Sequence, residues 1–369
     1  MPPSPRGVPG APDDEPAERA GPVASSSAPE SIGARLVFVV SPPRAGSTLL
    51  QRMLGSHSAV FTHPEPHLIT PLAHLGYYAN VDKAPFDHIN AAEALRSFVD
   101  GLPRGEDDYL DALRAYTDTL YGRMLSASGR ERFLDKTPAY ALVLPFLARL
   151  YPDARYVVLM RHPLAVFSSY ANSFFAGDWR AAHAFNPILE RYVPAMARFV
   201  RGEPVRAAHV ATVAYEALVQ RPDAELSRLF AFCGLPHEPR AVEYGDGEPV
   251  KAGLGDPITV GRERRPVTDS LDKWVGELAG DPGKRALAEQ MVARLDDADL
   301  AVWGWPRARL WAPLEDAPGS SGAPAPKPVW NRYTVQRRVM LALKKDIDRR
   351  PHGRLVRRVK YYCDVLLRE

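Results

Sequence analysis

Residues 36–50 combine a strand-like apolar run with a short loop whose residue types suit an oxyanion. The run Leu36–Val40 is rich in β-branched residues, two prolines end it, and an apolar-periodic stretch begins at Ser47. This order predicts a buried strand, a tight turn and the start of a helix. Free backbone N–H groups and the positive end of the helix dipole meet at such a start, and Arg44 adds a cation there. The segment therefore predicts a phosphate-binding loop.

The loop departs from that of ATP- and GTP-binding proteins, in which a lysine directly precedes the serine or threonine. Here the loop cation is Arg44, three residues before Ser47. The segment from Pro43 to Thr48 instead resembles the 5′-phosphosulfate loop of sulfotransferases that use 3′-phosphoadenosine 5′-phosphosulfate (PAPS). An ordinary strand-to-helix turn is the alternative. The resemblance implies PAPS binding by Arg44, Ala45, Gly46, Ser47 and Thr48.

A second strand-to-helix junction carries the same resemblance. The β-branched run that begins at Tyr156 ends in Arg161, and Ser169 follows eight residues later on the next predicted helix. In the family, an arginine and a serine at this spacing bind the 3′-phosphate that distinguishes PAPS from ATP. A guanidinium suits this task because its N–H groups form a fork that matches phosphate oxygens. The alternative is an arginine that packs at a strand end.

The segment from Asp135 to Pro138 resembles a third family element, again after a short predicted strand. The resemblance implies that Lys136 contacts the oxygen that bridges phosphate and sulfate. Charge develops on that oxygen as the sulfuryl group leaves, and a pre-placed cation stabilises it. Arg44 and Lys136 would supply the neutralisation that Mg²⁺ gives in phosphoryl transfer, so we expect no metal site. A solvated lysine at a helix start is the alternative.

The acceptor group needs a base, and residues 55–67 contain three candidates after the first predicted helix. Tyrosylprotein sulfotransferases have a similar stretch that ends in a catalytic glutamate, which implies that Glu65 is the base. His67 and then His63 are the alternatives, because several relatives use histidine instead. A carboxylate deprotonates an alcohol only if its pKa is raised or the proton leaves late in the transition state. A polar loop residue with no catalytic role remains the structural alternative for Glu65.

Two further residues are assigned by resemblance. The block from Val210 to Pro236 is similar to a family segment in which a tyrosine, here Tyr215, lies near the nucleotide. Relatives also place a basic residue of a later loop on the 3′-phosphate, and here Arg265 is the first candidate and Arg262 the second. A core tyrosine and a solvated run of charges are the structural alternatives.

The order of predicted elements indicates an α/β fold. Strand patterns alternate with helical patterns, which predicts a P-loop-like parallel sheet flanked by helices, the sulfotransferase fold, with an added helical C-terminal tail. One long helix is predicted over 180–200. The predicted strands are 36–40, 131–134, 155–160 and 209–213. The predicted regions are a disordered tail (1–33), a sulfotransferase domain (34–311), a Pro/Gly-rich linker (312–329) and a basic helical tail (330–369).

The composition is typical of a soluble globular protein, with 46% hydrophobic and 25% charged residues among 369. The two cysteines form no metal-binding pattern, and the sequence has neither a signal peptide nor an apolar run of membrane-spanning length. We therefore expect a cytoplasmic protein. Residues 330–369 hold twelve lysines and arginines and four acidic residues, a net charge of +8. This excess predicts contact with an anionic membrane surface or an acidic protein, and packing of the tail on the body of the protein is the structural alternative.

The resemblance extends from Arg35 to Leu278 and is strongest to a bacterial branch similar to tyrosylprotein and natural-product sulfotransferases. It implies transfer of a sulfuryl group from PAPS to a hydroxyl or amine of a small-molecule or carrier-bound acceptor, with release of adenosine 3′,5′-bisphosphate (PAP). The alternatives are a P-loop small-molecule kinase and a non-catalytic nucleotide-binding scaffold. Arg161 opposes the kinase, because an arginine at that strand end would repel a metal ion. We expect no nucleic-acid partner, and the sequence indicates no oligomeric state.

Overall fold

A computed structural model describes residues 30–73, 88–202, 209–244 and 263–315, together with the single residues 335, 339, 355 and 359. Five strands in these ranges form one parallel sheet with the order β2-β3-β1-β4-β5. The predicted α/β fold with a parallel sheet is confirmed. The strands are β1 Leu36–Val40, β2 Val60–Pro64, β3 Arg132–Lys136, β4 Arg155–Met160 and β5 Val210–Ala214.

Helices connect the strands and continue beyond them. The helices before β5 are α1 Ser47–Gly55, α2 Ile69–Ala73, α3 His88–Asp100, α4 Glu106–Ser128, α5 Leu144–Leu150, α6 Pro163–Phe175, α7 Trp179–Phe185 and α8 Ile188–Val200. Those after β5 are α9 Tyr215–Gln220, α10 Pro222–Phe232, α11 Lys273–Ala279, α12 Pro282–Ala293, α13 Asp297–Val302, α14 Arg307–Leu310 and α15 Ala312–Glu315. Short 3₁₀ turns lie at Gly33–Arg35, Pro138–Leu142 and Pro239–Val242.

The sheet is covered on both faces. Every residue of β1 is buried, as expected for a parallel strand between two layers of helices. Successive side chains of a strand point to opposite faces. On one face, the amide of Gln51 in α1 donates to the hydroxyl of Thr62 in β2 at 2.8 Å. On the other, Phe133 and Asp135 of β3 contact Tyr121 of α4.

The strands end at one edge of the sheet, and the candidate residues follow them there. Lys136 of β3 is level with Val39 of β1 and with Pro64 of β2. Val40 of β1 is level with Val158 of β4. Because all strands run in the same direction, the loops that follow these four strands leave the sheet together.

Strand β2 was not among the predicted strands. It lies at the end of the strand order and pairs with β3. The sequence Thr62-His63-Pro64 lacks a strand-like apolar run, and proline is tolerated at the end of an edge strand because no ladder hydrogen bond is lost there. Pairing with β3, rather than local pattern, makes this segment a strand.

The prediction of a single helix over 180–200 is wrong. The structure has two helices here, α7 and α8, with Asn186 and Pro187 between them. Asn186 has extended dihedral angles, φ −152° and ψ 111°. The residue before a proline is driven out of the helical region by the proline ring, which explains the break.

Several predicted regions fall outside the described residues. These are residues 1–29 of the N-terminal tail, 316–329 of the linker and all but four residues of the basic tail. The four described tail residues are helical, and 45–62% of each is exposed. Residues 312–315, in the predicted linker, form α15. Among the described residues, no helix is long and apolar enough to cross a membrane.

The C-terminal part of the described chain packs over the end of β4. Trp303 Nε1 donates to the carbonyl of Arg161 at 2.7 Å. The His162 ring stacks on Trp274 with centroids 4.2 Å apart, and its Nε2–H donates to the carbonyl of Leu310 at 2.9 Å. Burial lowers the pKa of His162 to about 4, against the opposing effect of the hydrogen bond to Leu310. The neutral imidazole is therefore part of the core.

This packing predicts that stability falls as the pH falls from about 6.5 to about 4. In that window the unfolded chain protonates His162 whereas the folded chain does not, so protons favour unfolding. The difference in pKa corresponds to roughly 3 kcal/mol. We expect His162→Gln, which keeps an N–H donor, to flatten this dependence. The measurement is the free energy of unfolding in urea between pH 4.5 and 7, and parallel wild-type and variant profiles would contradict the prediction.

Candidate active site

The loop between β1 and α1 has the shape of an anion-binding turn. Arg44 and Gly46 both have left-handed backbones, with φ of +68° and +97°, so the chain reverses tightly before α1 begins at Ser47. The first N–H groups of a helix point back toward such a loop and favour an anion. Ala45 and Ser47 are buried, whereas Arg44 and Thr48 are partly exposed. The five predicted loop residues thus surround the N-terminus of α1.

Tyr215 packs directly against this loop. It is the first residue of α9 and is buried, and its hydroxyl lies 2.8 Å from Ser270 Oγ. A Cβ atom at position 46 would lie 2.5 Å from Cε2 of the Tyr215 ring. Only glycine fits at this position, because both the backbone angle and the available space exclude a side chain. The nucleotide contact assigned to Tyr215 stays a prediction, and the structure adds a packing role.

The structure brings together Arg44, Arg161 and Ser169, which come from three parts of the chain. The buried Arg161 guanidinium lies 4.3 Å from the centre of the Tyr215 ring. It donates to the carbonyls of Arg44, at 3.3 Å, and of Ser270, at 2.6 Å. Arg44 Nε in turn donates to Ser169 Oγ at 3.4 Å. Arg161 therefore holds the loop backbone in place.

Glu65 and Lys136 form an ion pair in which Lys136 is buried and Glu65 is partly exposed. Lys136 Nζ lies 2.5 Å from Glu65 Oε1, and the two side chains are 1% and 17% exposed. Burial lowers the pKa of Lys136, the Glu65 carboxylate opposes this shift, and the positive charge of Arg44 lowers the pKa further. Lys136 is level with Val39 of β1, the strand that leads into the Arg44 loop, so the ion pair and the loop lie at the same edge of the sheet. His67 Nε2 lies 3.9 Å from Glu65 Oε2, and its side chain is half exposed.

Unusual backbone angles are concentrated at predicted site residues. Among the described non-glycine residues, four have positive φ: Arg44, Glu65, His67 and Ala176. Glu65 and His67 have φ of +33° and +52°. Such conformations cost about 1–3 kcal/mol each, and they persist at functional sites where the surrounding structure imposes them. Three of the four were predicted as site residues, which supports a functional role for this edge of the sheet.

Two other candidates lie in different surroundings. His63 is level with Asp135 in the sheet, so its side chain is on the face opposite to that of Lys136. The Arg265 side chain is 63% exposed, and its guanidinium lies 4.0 Å from Glu243 Oε1. Arg262 lies outside the described residues. The roles assigned to these residues stay predictions.

Two residues that contact the site were not predicted. Ser270 binds Arg161 through its carbonyl and Tyr215 through its hydroxyl. Asp135 is almost fully buried and accepts hydrogen bonds from three hydroxyl groups. The sequence signal that could have identified Asp135 is an acidic residue between the apolar residues of a buried strand and Lys136.

Comparison with known proteins identifies the family of this chain. Residues 37–239 match the profile described as the sulfotransferase family. The chain belongs to the sulfotransferase family. This confirms the resemblance stated from the sequence.

Individual relatives are distant. The chain is 29% identical over 292 residues to nodulation protein NoeE of Sinorhizobium fredii, with 72% of this chain and 65% of NoeE covered. It is 22% identical over 262 residues to protein-tyrosine sulfotransferase A of Caenorhabditis elegans, with 66% and 62% covered. The chain thus spans slightly less than two thirds of either relative. Among solved structures, the sulfotransferase domain from the curacin biosynthetic pathway is 24% identical, with 64% of this chain and 89% of that chain covered and a TM-score of 0.45.

The packing of Tyr215 predicts that position 46 tolerates only glycine. Gly46→Ala should lower the free energy of unfolding by roughly 2–4 kcal/mol, because it combines a left-handed alanine with overpacking against the ring. Gly122→Ala in α4 is the control, since its Cβ would meet Ile32 at an ordinary 3.5 Å. We expect that change to be neutral or stabilising by up to about 1 kcal/mol. Equal stability of the two variants in urea unfolding would contradict the prediction.

Proposed function

We propose that this chain transfers the sulfuryl group of PAPS to a hydroxyl or amine of an acceptor and releases PAP. Family membership supports sulfuryl transfer in general. The observation that supports the proposed route is the Glu65–Lys136 ion pair at the sheet edge from which the Arg44 loop also emerges. A carboxylate and a cation at this position supply the two functions that the reaction requires, proton removal and charge stabilisation.

The donors around the loop fit a nucleotide with two separate anionic groups. Arg44 and the first turn of α1 offer donors to one group. Arg161 and Ser169, at the junction of β4 and α6, offer donors to the other. PAPS and PAP carry a 3′-phosphate that ADP and ATP lack, and we assign its recognition to this second pair. The contact of Arg44 with Ser169 joins the two sets of donors.

The proposed reaction assigns each residue of the pair one task. PAPS supplies the activated sulfuryl group, whose bond to the bridging oxygen breaks as the acceptor atom bonds to sulfur. Glu65 accepts the proton of the acceptor, and its Oε2 is available for this because Oε1 holds Lys136. Lys136 and Arg44 stabilise the negative charge that passes to the leaving oxygen. An ammonium group has three N–H donors, so the bond to Glu65 leaves two for this purpose.

The acceptor is proposed by chemical class, as a hydroxyl or amine on a small molecule or carrier. Tyrosine phenols are the first acceptors to assay, because one relative is a protein-tyrosine sulfotransferase. A phenol also suits a carboxylate base, since it loses its proton more readily than an alkyl alcohol.

The donor assignment predicts a preference for PAP over ADP. At equal concentrations, PAP should raise the melting temperature more than ADP, and Ser169→Ala should reduce this preference. A lost hydrogen bond to a charged phosphate corresponds to about 1.5–3 kcal/mol, measurable by titration calorimetry. Ser168→Ala is the matched control, because the neighbouring Ser168 donates to Glu277 instead. Equal stabilisation of the wild type by PAP and ADP would overturn the assignment. Stronger stabilisation by ATP than by PAP would support the alternative that the chain is a P-loop kinase.

The base assignment predicts that Glu65→Gln binds PAP normally but turns over slowly. Loss of a general base should reduce the rate of sulfuryl transfer from radiolabelled PAPS by about 10²–10⁴-fold. Glu131→Gln, which changes an exposed glutamate, is the control. Full activity of Glu65→Gln, combined with loss of activity in His67→Ala, would move the role of base to His67.

A further inference from the structure

The loop between β2 and α2, residues 65–68, is held at both of its ends. At the first end, Glu65 bonds to Lys136. At the other, the backbone N–H of Ile69, the first residue of α2, donates to the hydroxyl of Tyr140 at 3.1 Å. Two residues of this short segment, Glu65 and His67, have positive φ. A segment with strained backbone angles keeps its shape only if its ends are anchored.

The tyrosine that binds Ile69 also binds Asp135, the residue before Lys136. The Tyr140 hydroxyl donates to Asp135 Oδ2 at 3.1 Å. A phenol has one proton, so its donation to Asp135 directs its oxygen lone pairs elsewhere, and Ile69 N–H uses one of them. Asp135 therefore sets the direction of the Tyr140 hydroxyl. Consecutive residues of β3 thus hold the two ends of one loop, with side chains on opposite faces of the sheet.

The Asp135 carboxylate accepts hydrogen bonds from three hydroxyl groups. Tyr121 donates to Oδ2 at 2.7 Å and Thr137 to Oδ1 at 3.1 Å, in addition to Tyr140. The residue is 1% exposed. Burial raises the pKa of Asp135 to about 6, while the three hydroxyl donors oppose this shift. Burying a carboxylate is unfavourable unless its oxygens are satisfied, and here they are.

We propose that Asp135 is a positioning residue that fixes the 65–68 loop through Tyr140 and so orients Glu65 for proton removal. The proposal rests on the proposed function, in which Glu65 is the base. It adds a residue that is almost fully buried and acts through Tyr140. Its action passes through two hydrogen bonds, from Tyr140 to Asp135 and from Ile69 to Tyr140.

The two tyrosines that share Asp135 Oδ2 provide a matched test. Tyr140→Phe and Tyr121→Phe each remove one donor to the same carboxylate oxygen, but only Tyr140 contacts the loop. We expect Tyr140→Phe to raise amide hydrogen exchange in peptides that cover residues 65–73 by about five- to tenfold, and Tyr121→Phe to leave it near wild type. In the same full-length variants, kcat should fall about tenfold for Tyr140→Phe only, with KM for PAPS within about twofold.

Asp135→Asn is the second variant, which keeps the side-chain shape but replaces one acceptor oxygen with a donor. It should reproduce the exchange pattern of Tyr140→Phe. Equal exchange in the two tyrosine variants would overturn the proposal, and so would faster exchange in Tyr140→Phe with unchanged kcat. Because hydrogen exchange needs no substrate, it tests the anchor even if Glu65→Gln proves fully active. Full activity of Glu65→Gln would instead contradict the assignment of Glu65 as the base.

Discussion

The shared carboxyl edge of the parallel strands is the constraint on which the whole site depends. Lys136 is level with Pro64, so Glu65, the next residue along, meets Lys136 across 71 positions of sequence. Strand β1 lies between β3 and β4, so the loop that contains Arg44 emerges between the loops that follow Lys136 and Met160. Parallel strands need crossover connections to return to the same edge, and these helices also cover the two faces of the sheet.

This edge concentrates positive charge that the fold must compensate. Arg44 lowers the pKa of Lys136, and the nearby Arg161 is buried. Backbone carbonyls accept hydrogen bonds from Arg161, and the Glu65 carboxylate pairs with Lys136. These partners offset part of the desolvation of the cations, and an anionic ligand would offset more. A ligand that binds only the folded chain also stabilises it, so affinity and stability are linked at this site.

The sequence was most informative where local pattern decides the structure. Apolar, β-branched runs predicted β1 and β4, and the spacing of Arg161 and Ser169 placed both at one strand-to-helix junction. The apolar periodicity continues through Pro187, which is why one helix was predicted where there are two. Strand β2 was missed because its pairing with β3 outweighs its own residue preferences. Its position is set by a neighbour 72 residues away, as in the bond from Thr62 to the carbonyl of Leu134.

The ion pair of Glu65 and Lys136 is a contact between two motifs that neither motif predicts by itself. Resemblance assigned separate tasks to the two residues, but only the sheet register reveals that they are hydrogen-bonded. The base and the leaving-group cation of the proposed reaction are then one electrostatic unit. In the proposed reaction, the negative charge of Glu65 would be neutralised as it gains the acceptor's proton, and Lys136 would lose its counter-charge while the leaving oxygen becomes negative. Proton removal and charge stabilisation would then be coupled through one hydrogen bond, and the effects of replacing the two residues on turnover would not be additive, because residues that act as a unit do not contribute independently.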